Sequence, residues 1–144
     1  MTKSLIPVSL FMTKKIHTIQ SSESIQSAAK FFYEKDISSL MVLDGDKLVG
    51  IITEKDLVTS ALVFDHEKNI SIKDIMTPSP ICITPDTSLL EVAHLMTEKK
   101  FHKFPVLENN KIVGLISATD LVVIFSMTKE EDLVKVLGPQ LGLE

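Results

Sequence analysis

The sequence predicts an α+β fold made of two β-α-β-β-α units packed sheet to sheet, and three observations carry that expectation. Within 144 residues one pattern is written twice: Met12–Val58 aligns with Met76–Val122 without a gap, and 16 of the 47 paired positions are identical. Both copies run through the same order of helical and strand periodicities. Each then ends on the same corner, Gly50-Ile51-Ile52-Thr53-Glu54-Lys55-Asp56 in the first copy and Gly114-Leu115-Ile116-Ser117-Ala118-Thr119-Asp120 in the second, which reads as a buried strand entering a helix.

In chain order, a short amphipathic turn (Ser9–Met12, Ile72–Met76) leads into an extended apolar piece around Ile19 or Ile83. A helix follows. Ser24 caps it in the first copy, with Ile25, Ala28, Ala29 and Phe32 at helical spacing. In the second copy Thr87 or Ser88 caps it, with Leu89, Val92, Ala93 and Met96 on the same period. The next strand is Ile37–Leu43 or Phe101–Leu107, and the hairpin turns are Asp44-Gly45-Asp46 and Glu108-Asn109-Asn110. A second strand and a closing helix complete the unit. One unit of roughly 50 residues buries too little surface to stand alone. Two of them can bury the apolar strands Leu40–Leu43, Leu48–Ile52, Phe104–Leu107 and Ile112–Ile116 against each other. The expected division is 1–68 for the first repeat with its N-terminal segment, 69–127 for the second, and 128–144 for a C-terminal helix and tail. Thr128-Lys129-Glu130-Glu131 starts that helix, and Gly138-Pro139 ends it after Leu137.

Composition narrows the function classes. A net charge of -4 with interspersed signs argues against a nucleic-acid or anionic-membrane surface. The longest apolar run, Leu121 to Phe125, is far below the ~20 residues of a membrane span, and no signal peptide is expected, so the location expected is cytoplasmic. The single cysteine, Cys82, excludes an internal disulfide and is expected to be a small buried hydrophobe. His94 and His66 lack second ligands at metal spacing, so no metal is expected. No Walker loop, GxGxxG, HExxH or GxSxG occurs, and no nucleophile–base set is visible. An enzyme is not expected.

The chemistry concentrates at the two corners. A helix start leaves up to four backbone N–H groups unpaired and carries the positive end of the macrodipole, which makes it an anion site. Thr53-x-x-Asp56 and Ser117-x-x-Asp120 fit that reading, and they fit a plain helix cap equally well. His102-Lys103 stands as an exposed strand pair or as a ligand contact, while Lys15 and His17 fit solvated surface before a strand. Met12, Met41, Met76 and Met96 fall at positions expected to be core or adenine-facing, with core the default.

The unit order, Met-Thr at 12–13 and 76–77, Phe104-Pro105-Val106-Leu107 and the two Gly-to-Asp corners together resemble cystathionine-β-synthase (CBS) domains, and the whole chain resembles a stand-alone CBS pair, or Bateman module, over about residues 6 to 126. The resemblance implies pseudo-twofold symmetry and two inter-repeat clefts that hold adenosine-containing ligands such as AMP, ADP, ATP or S-adenosylmethionine, with no required cofactor. It implies that the Asp of each corner takes the ribose hydroxyls and the Ser/Thr helps hold phosphate. Basic strand residues neutralise phosphate, and the opposite copy grips the adenine. One cleft would then use Ser117, Thr119, Asp120, His102 and Lys103 with Lys15, His17 and Ile37. The other would use Thr53, Lys55, Asp56, Ser38 and Ser39 with Ser79, Ile81 and Phe101. Lys103 makes the Asp120 cleft the tighter one expected, because a charge-assisted contact adds about 1.5–3 kcal/mol. The resemblance further implies a regulatory sensor, a homodimer formed through helices such as those of Leu57–Leu62 and Leu121–Phe125, and a regulated protein partner. The alternative is a structural or dimerisation module that binds no nucleotide.

Overall fold

The computed structural model describes residues 6–63 and 70–127, together with 129, 131–132 and 134–135. Its architecture is mixed α+β. The chain divides into two compact units, one made of Lys15–Ile81 and the other of Met1–Lys14 with Cys82–Glu144. As packed units the chain parts at 14/15 and 81/82.

The unit of Lys15–Ile81 begins with strand β1 (Thr18–Gln20) and helix α1 (Ile25–Lys35). Ser24 caps α1 as expected, its hydroxyl accepting the Ser27 N–H at 3.1 Å. The hairpin of β2 (Ser39–Asp44) and β3 (Lys47–Thr53) follows, then helix α2 (Glu54–Val63). After the connection come a single helical turn α3 (Ile72–Ile75) and the two-residue strand β4 (Thr77–Pro78). The sheet order is β1-β2-β3-β4, with β1 parallel to β2 and the other pairs antiparallel. Ile19, Ala28, Phe32, Leu40, Val42, Ile52 and Ile72 form the core. Leu40, Met41 and Val42 are all buried, so both faces of β2 are covered, as the unbroken apolar run requires.

In the other unit the sheet has two strands, and the leading segment joins it through a single bridge at Thr13. Pro7–Thr13, including a 3-10 turn at Val8–Leu10, precedes helix α4 (Leu89–Lys99), the hairpin of β5 (Lys103–Glu108) and β6 (Lys111–Ser117), and helix α5 (Ala118–Ser126). Thr13 pairs with Leu115 on β6, just as Thr77 pairs with Ile51 on β3. Ser88, one of the two expected caps, closes a capping box with Glu91. Both hairpins carry a register shift at the same place, Val42/Leu43 and Val106/Leu107.

One expected strand is reduced to a single residue. Ile83 makes one parallel bridge to Val106, its N–H reaching the Pro105 carbonyl at 3.0 Å and its carbonyl accepting from Leu107 at 2.8 Å. The bonds that extend the equivalent β1 come from the Met41 and Ser21 amides, donated to His17 and Leu43. Pro105 and Pro85 hold those positions in the second copy and have no N–H to give.

Gly50 and Gly114 are required by close approach. A Cβ on Gly50 would lie 2.9 Å from both Met76 Cγ and the Thr77 carbonyl oxygen, and one on Gly114 would lie 2.8 Å from Met12 Cγ. The repeated Met-Thr and the repeated Gly are thus one packing motif, in which each methionine covers the glycine of the copy it does not precede by spacing. The polar connection expected at Ala61–Ser71 and the expected C-terminal helix each fall partly outside the described residues. Among the described residues no helix is long and apolar enough to cross a membrane.

Candidate functional site

Each corner is a strand end tied to a helix start by side-chain caps. In the second copy, Ser117 Oγ accepts the Asp120 N–H at 3.2 Å while Asp120 Oδ2 accepts the Ser117 N–H at 2.8 Å. The His102 carbonyl takes the Ala118 N–H at 2.9 Å, which anchors the start of α5 beside β5. Lys103 pairs in register with Ser117, so its side chain leaves the sheet one strand away from the cap. Lys103 and Asp120 are half-buried, whereas His102 and Thr119 are exposed. Burial pushes the Lys103 ammonium below the usual lysine range, and the Asp120 carboxylate partly restores it.

The first copy keeps the frame and changes the bonding. Asp56 Oδ2 accepts the Thr53 N–H at 2.8 Å and the Thr53 hydroxyl at 3.1 Å, so here the hydroxyl donates to the carboxylate. Ser39 pairs in register with Thr53 and is buried; Ser38 and Lys55 are exposed. In both corners the bonds to the aspartate land on Oδ2.

Ser79 and Ile81 belong to the same unit as Asp56. Ser79 donates its N–H to the Val49 carbonyl at 3.1 Å and holds a left-handed φ of 50°. Lys15, His17 and Ile37 lie in that unit too, and Phe101 lies in the other. The His17 ring meets Phe31 edge-on at a centroid distance of 5.7 Å, and its carbonyl serves β2.

Two further features depart from the sequence reading. Cys82 is exposed rather than buried. It flanks the buried Ile83, and strand alternation turns it outward as it turns Thr18 outward beside Ile19. Partial burial still pushes its thiol up. Of the four methionines expected in the core, only Met41 is fully buried, while Met12, Met76 and Met96 are half-buried.

A shallow depression of about 350 Å³ lies at the other end of the β5–β6 hairpin from the Asp120 corner, lined by Thr84, Pro85, Asp86, Leu107, Glu108 and Asn109. At the corresponding positions of the first copy, Gln20 clamps the Gly45 turn with bonds of 2.9 and 3.0 Å. Thr84, at the position of Gln20, is too short to do so. Among the described residues no group of three or more His, Cys, Asp or Glu side chains is placed to hold a metal.

The family model for the CBS domain matches residues 7–62 and again 72–126. The chain belongs to the CBS domain family. The CBS pair is 32% identical over 122 residues to inosine-5'-monophosphate dehydrogenase of Korarchaeum cryptofilum, covering 84% of this chain and 25% of that enzyme. It thus spans about a quarter of the length of that relative. Among solved structures, the CBS domain pair of protein MJ0100, in complex with 5'-methylthioadenosine and S-adenosyl-L-methionine, is 28% identical with a TM-score of 0.76, covering 87% of this chain and 99% of that one. CBSX2 in complex with AMP is 28% identical with a TM-score of 0.72, covering 84% of this chain and 96% of that one. Both of those similar proteins hold adenosine-containing compounds.

Proposed function

We propose that this CBS pair is a regulatory module, acting in the cytoplasm, that takes adenosine-containing ligands such as AMP, ADP, ATP or S-adenosylmethionine at its strand-to-helix corners and passes occupancy to a protein partner. The observation that carries the reading is the doubled corner, in which Asp56 and Asp120 each hold the helix cap through Oδ2; in this reading the other oxygen takes the ribose hydroxyls. Ser117, Thr119, His102 and Lys103 in one corner, and Thr53, Lys55, Ser38 and Ser39 in the other, complete it, while Ser79 and Ile81 enter on the family resemblance. Lys15, His17, Ile37 and Phe101 enter on the family resemblance alone. The ligands held by the MJ0100 and CBSX2 pairs support the ligand class. Occupancy can bias a partner only through a difference in affinity between two conformations.

The test is a melting experiment with AMP, ADP, ATP, adenosine and S-adenosylmethionine. A ligand at 100 times its dissociation constant stabilises by about 2.7 kcal/mol, which moves a domain of this size by several degrees. Unmoved melting curves across that panel would reject the sensor reading.

A second reading is a dimerisation module without nucleotide. It is favoured by apolar side chains left outside: Val58 and Leu62 on α2 are 63% and 84% exposed, and Val122 on α5 is 67% exposed. A second copy of the chain fits such a surface in either reading.

A further inference from the structure

The two corners share a backbone and differ in charge. Lys103 and Ser39 occupy the same register position, opposite Ser117 and Thr53. One is a half-buried cation within electrostatic reach of Asp120, the other a buried hydroxyl. The helix starts differ in the opposite sense. The first turn of α2 carries two acids, Glu54 and Asp56, whereas that of α5 carries Asp120 alone. Glu54 and Lys55 are both exposed, so Asp56 is the one half-buried charge among these three. Formally the corner of Lys103 and Asp120 is neutral, and that of Glu54, Lys55 and Asp56 carries one negative charge.

We propose that the corners sort adenosyl ligands by charge. The Asp120 corner takes a compound bearing phosphate, and the Asp56 corner takes one whose 5' substituent is uncharged or cationic. This rests on the corners being adenosyl sites at all. A phosphate brought to the first corner meets a partly desolvated ammonium, where screening is weak and the contact is charge-assisted. Brought to the second, it meets the half-buried Asp56 carboxylate, with Glu54 and Lys55 exposed beside it and neutral hydroxyls on the strand. A sulfonium there would meet attraction instead. Ligand charge then decides which repeat is occupied, so one chain can report two classes of compound.

The experiment is amide NMR of the full chain, following Thr53–Asp56 and Ser117–Asp120 separately during titrations with AMP, adenosine and S-adenosylmethionine. AMP is expected to saturate the Ser117–Asp120 amides at a concentration at least tenfold lower than the Thr53–Asp56 amides. Adenosine, the same nucleoside without the phosphate, is expected to fill the two within about threefold. S-adenosylmethionine is expected to fill the Thr53–Asp56 corner first. In Lys103→Gln, and in Lys103→Met should that variant fold better, the AMP preference is lost: AMP fills the two corners within about threefold of each other. Equal filling by AMP in the unaltered protein overturns sorting, as does a preference that survives both variants or S-adenosylmethionine filling the Asp120 corner first. If adenosine and AMP perturb neither corner, the adenosyl reading itself falls, and the sorting with it.

Discussion

The two corners of this CBS pair share their hairpin register and aspartate cap and differ in side-chain chemistry. Strand pairing, register shift, aspartate cap and the glycine under a methionine recur in both copies. Lysine replaces serine, the cap hydroxyl reverses its role, and two prolines remove ladder bonds in one copy only. Duplication has kept the frame, which packing dictates, and released the groups that face outward from it.

The largest expected effect separates the two glycines. Gly50→Ala pushes a methyl group against the Thr77 backbone, which has little room to give, and should cost about 1–3 kcal/mol in a denaturant titration. Gly114→Ala meets only the Met12 side chain and should cost less. Equal losses would mean that the two segments are seated alike. Next come the caps. Ser117→Ala removes the acceptor of the Asp120 N–H and should cost about 1 kcal/mol. Thr53→Ala, whose hydroxyl donates to Asp56, should cost less than that; the reverse order in thermal unfolding would contradict the assigned roles.

Pro85→Ser tests why the second copy lost a strand. The new amide at position 85 should bond the Leu107 carbonyl, a gain of about 0.5–1.5 kcal/mol, offset by about 0.4–1 kcal/mol of added unfolded-state freedom. Net stability should barely move, yet hydrogen exchange at position 85 should slow to the rate of its neighbours in the sheet. The smallest effect concerns Lys103. Burial lowers its folded-state pKa, so the folded protein holds that proton less tightly than the unfolded chain does. Stability of the ligand-free protein should therefore rise as pH climbs through the lowered pKa toward the ordinary lysine value. Lys103→Met should flatten that rise, and an unchanged pH profile would show that the ammonium is not desolvated.

Much of the fold was legible in the sequence because it repeats. A gapless duplication marks element order twice, and Ser24, Ser88, the hairpin turns and the strand-to-helix corners all sit where their residue chemistry places them. The exchange of leading segments was not legible. Met12 and Gly114 lie about a hundred positions apart, and only packing reveals that they touch. The lost strand at Ile83 was readable in principle from Pro85 and Pro105, since both would have had to donate. At the site, the cap pattern identified Asp56 and Asp120, but which carboxylate oxygen is used and which way each hydroxyl points depend on atoms the pattern does not specify.

The central claim is that these corners hold adenosyl ligands through their aspartates, and titration calorimetry of AMP and adenosine into the unaltered protein and Asp120→Ala tests it most directly. The account predicts measurable binding to the unaltered protein and at least tenfold weaker binding at the altered corner, about 1.4 kcal/mol, with cooperative unfolding retained. Equal affinity in the two proteins, or no binding heat in either, would contradict it.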